Sequence, residues 1–304
     1  WSEPAAVNPG GGGNVVVDAK NGDVLIVCPP HSYLWRSRDD GKTWSKEEIV
    51  MKPNAAGHGV PGGVQADVVC SESGVALEHG EHRGRLVMPA RIQPPMGDNA
   101  QEYWQYNYNT SIYSDDGGRT WQVGEPVQSG TGEGTLAELS DGRLYYNSRS
   151  HMSADHRRRI AWSYDGGRRW VDWQVSDDLF EVGGPHYFKY GRKPSYGCNA
   201  GLVRLPLEAS GGRDVLLFST PDNPGATSPY NGRVRMTVWA SMDGGESWPT
   251  KRLIHEGISS YSSLAAGRDG FIYLLFERGE KKLYEKITFA RFDLNWILKG
   301  DSGR

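Results

Sequence analysis

SDDGGRTW, residues 114–121, sets a Ser, an Asp, a Gly and a Trp at fixed intervals, Ser-x-Asp-x-Gly-x-x-Trp. The pattern returns as SRDDGKTW (37–44), SYDGGRRW (163–170) and SMDGGESW (241–248). Four copies in 304 residues lie far beyond coincidence, and an internal repeat governs every later reading of the chain. Asp and Gly accept turn conformations that other residues resist, an Asp carboxylate can bond backbone amides, and a Trp can pack beneath the turn. Each copy therefore reads as a hairpin turn. Around the copies lie β-rich runs such as NVVVDAKNGDVLIV (14–27), RLYYNSR (143–149), VRMTVWAS (234–241) and FIYLLFE (271–277). Convincing amphipathic helices are absent. With their serines at 37, 114, 163 and 241, the copies suit four-stranded blades carrying loop insertions, which points to an all-β propeller.

Composition narrows the function. With 40 Gly and 17 Pro, turns must be frequent, while 11 Trp, 15 Tyr and 7 Phe demand a buried core. No apolar run approaches the roughly 20 residues that span a bilayer. A net charge of −3 supplies no basic field for a polyanion, so nucleic acid is not an expected partner. Cys28, Cys70 and Cys198 are odd in number, widely spread and without CxxC spacing, which suggests neither a disulfide framework nor a zinc site. The pairs His79/His82 and His151/His156 are too sparse for a metal centre, and no cofactor is expected. GKT at 41–43 would need Gly where Arg36 stands to make a phosphate loop, and the repeat accounts for it. PGGGGN at 9–14 reads as a loop entering a blade. One sequon, Asn109-Thr110-Ser111, leaves the compartment open, with a secreted, periplasmic or lysosomal setting favoured over the cytosol. No targeting segment precedes Trp1, so an export signal was either never present or has been removed.

The repeats are Asp boxes, and from residue 1 to about 297 the chain resembles the exo-α-sialidases, or neuraminidases. Three segments carry that resemblance beyond the boxes. GTGEGTLAELSDGRLYYNSR (130–149) sets a Glu sixteen residues before an Arg across a hairpin, which implies Glu133 as the catalytic base and Arg149 as a ligand of the substrate carboxylate. In GRVRMTVWASMDGG, Arg233 lies eight residues before the Ser of the last box and matches the third of the family's three carboxylate-binding arginines. Arg235 is the alternative there, because strand alternation puts both on one face. SSYSSLAAGRDGFIYLLFERG (259–279) resembles the family's nucleophile segment and implies Tyr261 as the nucleophile and Glu277 as the carboxylate that pairs with and orients the family's first arginine. Without the motif context, Glu133 reads as a solvated loop residue, Arg149 as a strand-end charge and Tyr261 as a core tyrosine. Asp67, Arg91, Tyr103 and Trp104 are candidate rim residues, the last two in the aromatic stretch QEYWQYNYN (101–109).

The resemblance implies a six-bladed β-propeller of which this chain supplies about five blades, as one sialidase-like domain over 1–304 with an incomplete N-terminal blade. It also implies a chemistry that suits these residue types. A nonulosonic acid bears a carboxylate on its anomeric carbon, which arginine forks hold bidentately. That carboxylate repels an Asp or Glu nucleophile, whereas a neutral Tyr hydroxyl can approach once a nearby Glu takes its proton. Sialidases are accordingly an exception to the two-carboxylate rule, with a covalent Tyr-glycosyl intermediate and net retention. The partners implied are sialylated glycoproteins, glycolipids or oligosaccharides. The chain departs from the family in lacking an N-terminal "R-I-P"-like arginine and the acid/base Asp beyond it. WSEPAAV resembles the stretch just after an Asp box, with Trp1 as the last residue of a box, so the sequence is expected to be a fragment, a processed chain or part of a longer enzyme. A non-catalytic sialoglycan-binding propeller, a trans-sialidase and a KDN-specific relative are the alternatives.

Overall fold

The computed structural model describes residues 7, 13–54, 59–60, 64–93, 107–152, 155–182, 186–188, 191–195, 197–223 and 232–299. Its regular structure is almost entirely strand. The first sheet is an antiparallel meander of β1 (Asn14–Val17), β2 (Val24–Cys28), β3 (Tyr33–Ser37) and β4 (Ser45–Glu48). β5 (Val50–Lys52) and a small hairpin of β6 (Gly59–Val60) and β7 (Val64–Gln65) come next. The second sheet holds β8 (Asp67–Cys70), the short β9 (Val75–Ala76), β10 (Leu86–Gln93), β11 (Tyr108–Ser114) and β12 (Thr120–Val123), with β5 added parallel to β12. β13 (Thr131–Glu138), β14 (Leu144–Ser150), β15 (Arg157–Ser163) and β16 (Val171–Phe180) make the third. After a hairpin of β17 (His186–Phe188) and β18 (Gly191–Ser195) come β19 (Gly201–Arg204), β20 (Leu216–Pro221), β21 (Val234–Ser241) and β22 (Thr250–Ala266). β22 serves two sheets: its first part closes the fourth, and its second part pairs with β23 (Phe271–Arg278), which pairs with β24 (Lys286–Asp293).

The described residues thus form four four-stranded blades and three strands of a fifth, in accord with the expected propeller. Inner strands meet side by side: β1 lies against β9, β13 against β9 and β19, and β19 against β22. Because side chains alternate across a strand, each blade has two apolar faces and shares one with each neighbour. Leu25 and Leu34 pack with Leu86 and Ile112 between the first two blades, Val87 with Leu136 and Leu144 between the next two. Leu202 and Phe218 meet Ala137 and Tyr145 at the third junction, and Val238 meets Leu274 and Phe276 at the fourth.

Every Asp box closes the hairpin between the third and fourth strands of its blade. In each, the Asp Oδ1 accepts the backbone N–H four residues on (Thr43 2.8 Å, Thr120 2.9 Å, Arg169 2.8 Å, Ser247 3.0 Å). The Ser Oγ accepts the N–H of Gly41, Gly118, Gly167 or Gly245 at 2.8 to 2.9 Å. Those glycines have φ between 83° and 97°, a left-handed conformation that explains the fixed Gly. The box Trp then enters the preceding blade. Trp121 joins the core of the first blade, Trp170 donates to Ser111 Oγ of the second (3.2 Å), and Trp248 tilts against Tyr145 of the third. Trp44, with no described blade before it, is only half-buried.

Asn109 of the sequon is fully buried within β11, so the folded chain offers no acceptor for a glycan there. The three cysteines are free and buried. Tyr103 and Trp104 lie outside the described residues. Among those described, no helix is long and apolar enough to cross a membrane.

Candidate active site

The sequence TGEGT (131–135) opens β13, and it folds with a shift of register against β14 between Thr131 and Gly134. A bulge of this kind re-aims one side chain, here that of Glu133. Both flanking residues must be glycine for steric reasons: a Cβ at Gly132 would lie 2.0 Å from the His151 ring, and one at Gly134 2.4 Å from that of Tyr146. Arg149, on the adjacent β14, donates to Glu133 Oε2 and forms an ion pair with it. Tyr261 sits at a second bulge, where the β22–β23 register shifts between Ser259 and Ser262. Its Oη donates to Glu133 Oε1 at 2.7 Å and accepts from Arg149 Nη1 at 3.2 Å. Strands of two different sheets therefore deliver one triangle of carboxylate, cation and phenol.

Arg233 completes the cluster. Its guanidinium carbon stands 5.3 Å from the centre of the Tyr261 ring. Nη1 donates to Ser260 Oγ and Tyr284 Oη, each at 3.0 Å, and Nη2 to the Gly197 carbonyl at 3.2 Å, while Nε has no partner among the described residues. Arg149 and Arg233 are 4 % and 3 % exposed, so two desolvated cations face one phenol. Arg235 is not part of this. The backbone has φ 67° there and the β21–β22 register shifts on either side of Met236, which turns Arg235 out to an ion pair with Glu256. The alternation that made it the alternative to Arg233 is broken at that point.

The sequence profile of the BNR repeat-like domain matches residues 12–274. This chain belongs to that family. A sialidase of Micromonospora viridifaciens is 34 % identical over 272 residues, covering 88 % of this chain and 36 % of that protein. An exo-alpha-sialidase of Aspergillus fumigatus is 30 % identical over 282 residues, covering 89 % and 57 %. Among solved structures, Hadza microbial sialidase Hz136 superposes with a TM-score of 0.65 at 25 % identity, over 93 % of this chain and 52 % of that one. The chain spans less than two thirds of the length of each of these proteins.

Within this BNR repeat-like fold the electrostatics of the triangle are one-sided. Burial alone would raise the Glu133 carboxyl, but Arg149, His151 and Arg91 more than offset it and hold the group well below the usual carboxylate range. Tyr261 moves the other way, pushed up first by burial and then by the Glu133 charge. The resting pair is a carboxylate accepting the proton of a neutral phenol. His151 is lowered to about 3, chiefly by burial and next by Arg149. Its Nε2 stands 3.6 Å from Glu133 Oε2 as a neutral ring, so that approach is not an ion pair.

Of the other expected residues, Arg91 reaches the site, with Nη1 3.8 Å from Glu133 Oε1. Asp67 is exposed at the start of β8 and pairs with no cation among the described residues. Glu277 Oε2 accepts the backbone N–H of Tyr261 (3.2 Å), and the arginine that the resemblance pairs with it is not among the described residues. Three neighbours are not legible in the sequence as site residues. His151 stands out there only as a poor metal ligand, although it lies two residues beyond Arg149 and so shares its face. Ser260 and Tyr284, which brace Arg233, have no such signal. Among the described residues, no group of three or more His, Cys, Asp and Glu could hold a metal ion.

Proposed function

We propose that this chain carries the nucleophile and the carboxylate grip of a retaining exo-α-sialidase, acting on terminal α-linked sialic acid or a related nonulosonic acid of a glycoconjugate. The bond from Tyr261 Oη to Glu133 Oε1 (2.7 Å), with Arg149 Nη1 against the same phenolic oxygen, supports the reading most directly. In this scheme Arg149 and Arg233 hold the substrate carboxylate, which fixes the anomeric carbon over Tyr261. Tyr261 Oη attacks that carbon, Glu133 takes the phenolic proton, and the bond to the aglycone oxygen breaks. The leaving oxygen takes a proton from an acid outside the residues assigned here. In the second half water attacks the same carbon and gives a proton to the conjugate base of that acid, the Tyr–glycosyl bond breaks, and Glu133 returns its proton to the Tyr261 oxygen. Two displacements give net retention.

The neutral nucleophile suits the substrate, since a second carboxylate would face the substrate's own. The test is hydrolysis of a fluorogenic α-sialoside by the whole protein, with the first-formed sugar followed by proton NMR. The α-anomer appearing first supports the scheme. The β-anomer appearing first would exclude a single covalent intermediate, and binding without turnover would favour a sialoglycan-binding propeller.

A further inference from the structure

We propose that the buried Arg158–Glu181 pair is a positioning device that fixes the two carboxylate-gripping arginines relative to each other. The inference rests on the binding roles assigned above to Arg149 and Arg233. Neither member reaches the site: their side chains are 0 % and 1 % exposed. Glu181, just after β16, accepts the N–H of Ser150 at 2.8 Å, the residue next to Arg149, and the N–H of Cys198 at 3.4 Å. Arg158, on β15, places Nη1 3.1 and 3.2 Å from the two Glu181 oxygens. It also donates from Nη1 to the Cys198 carbonyl (3.0 Å) and from Nε to Asn147 Oδ1 (2.7 Å), two residues before Arg149.

One ion pair therefore grips β14 on both sides of Arg149 and, at the same time, residue 198. The adjoining Gly197 carbonyl is what Arg233 Nη2 donates to. Gly197 has φ 77°, and a Cβ there would lie 2.2 Å from Glu181 Oε2, so the close approach of this backbone to the carboxylate admits only glycine. A buried ion pair is a poor source of stability compared with apolar packing. This pair spends its bonds on the backbone beside one arginine and on the backbone that braces the other. The spacing of the two guanidiniums, and with it bidentate recognition of one carboxylate, depends on it.

The test compares two ligands on the whole protein: a sialic acid analogue that keeps its carboxylate, and the methyl ester of the same analogue. Glu181→Gln keeps size and removes the charge. Expected is an about tenfold or greater loss of affinity for the acid, with little change for the ester, and a KM for the sialoside that rises more than kcat falls. A variant that melts earlier yet keeps the wild-type ratio of acid to ester affinity would overturn the proposal, leaving the pair a purely structural one. Should Glu181→Gln fail to fold, Arg158→Lys keeps the charge but loses the fork to Asn147 and Cys198, and the same ratio must fall. Wild-type protein that does not prefer acid to ester overturns the binding roles themselves, and that failure is visible before any variant is made.

Discussion

The Asp-box turns and the Tyr261 cluster use the same kinds of bond at opposite ranges. In each box the Asp and Ser side chains bond within four residues, and the turn repeats with nearly the same distances in four blades. The cluster is assembled once. Glu133 and Arg149 are 16 residues apart, and Tyr261 lies 112 and 128 residues from its two partners. Local bonds close a turn in any blade, whereas the cluster exists only when distant blades are in register. Damage to a box should therefore appear as lost stability with recognition intact, and damage to the cluster as lost chemistry in a folded protein.

Tyr261→Phe tests that division most severely. The ring stays, the bonds to Glu133 and Arg149 go, and kcat for a sialoside should fall about 10³-fold or more. The variant should stay folded, with a loss of stability no larger than the two bonds to charged groups at about 1.5–3 kcal/mol each. Unchanged turnover would remove Tyr261 from the mechanism and end the contrast.

Trp121→Ala is the converse. This side chain is fully buried in the apolar core between the first two blades, and its Nε1 donates to the Gly118 carbonyl of its own box at 2.9 Å. Its truncation should cost about 3–5 kcal/mol in urea unfolding, while KM of the folded fraction stays put. A changed KM with unchanged stability would show that box and site are coupled.

His151 separates the two regions by pH. Its pKa is depressed from 6.5 to about 3 by burial and by Arg149. Below pH 6.5 the unfolded chain takes up a proton that the folded chain refuses, so stability is lost as the pH falls through that window. Glu133, whose pKa is also depressed, is ionised in both states above about pH 5 and adds nothing there. His151→Asn should thus reduce the drop in unfolding free energy between pH 7 and pH 5 by about 2 kcal/mol. An equal drop in variant and wild type would mean that the ring is protonated in the folded protein.

Sequence pattern goes as far as local rules go. Boxes and blades come from turn chemistry and strand composition, and Glu133, Arg149, Arg233 and Tyr261 stand out because each lies in a short recognisable segment. Their surroundings are not readable in that way. Glu277 accepts the Tyr261 N–H where the register shifts between Ser259 and Ser262, a bond that no pattern within either strand announces. Arg158 stands in a run of three arginines on β15, where alternation sends Arg158 inward, but nothing local names Glu181 as its counter-ion. Those contacts depend on how blades meet, which a pattern within one blade does not contain.

The smallest expected effect belongs to Arg235, and it is the most direct check on how a bulge selects between neighbours. In an unbroken strand Arg233 and Arg235 would share a face and both could reach a substrate carboxylate. Here Arg233 is 3 % exposed beside Tyr261, while the Arg235 side chain is 40 % exposed on a left-handed backbone. An exposed pair such as Arg235–Glu256 is screened by water and contributes little. Arg235→Ala should change stability by less than about 0.5 kcal/mol and leave KM as it is. Arg233→Ala should weaken a carboxylate-bearing inhibitor by about 2–5 kcal/mol, the scale for truncating one partner of a buried, hydrogen-bonded charge pair. Equal losses at both positions would mean that the strand runs through without the bulge, and the separation of the two arginines would have to be abandoned.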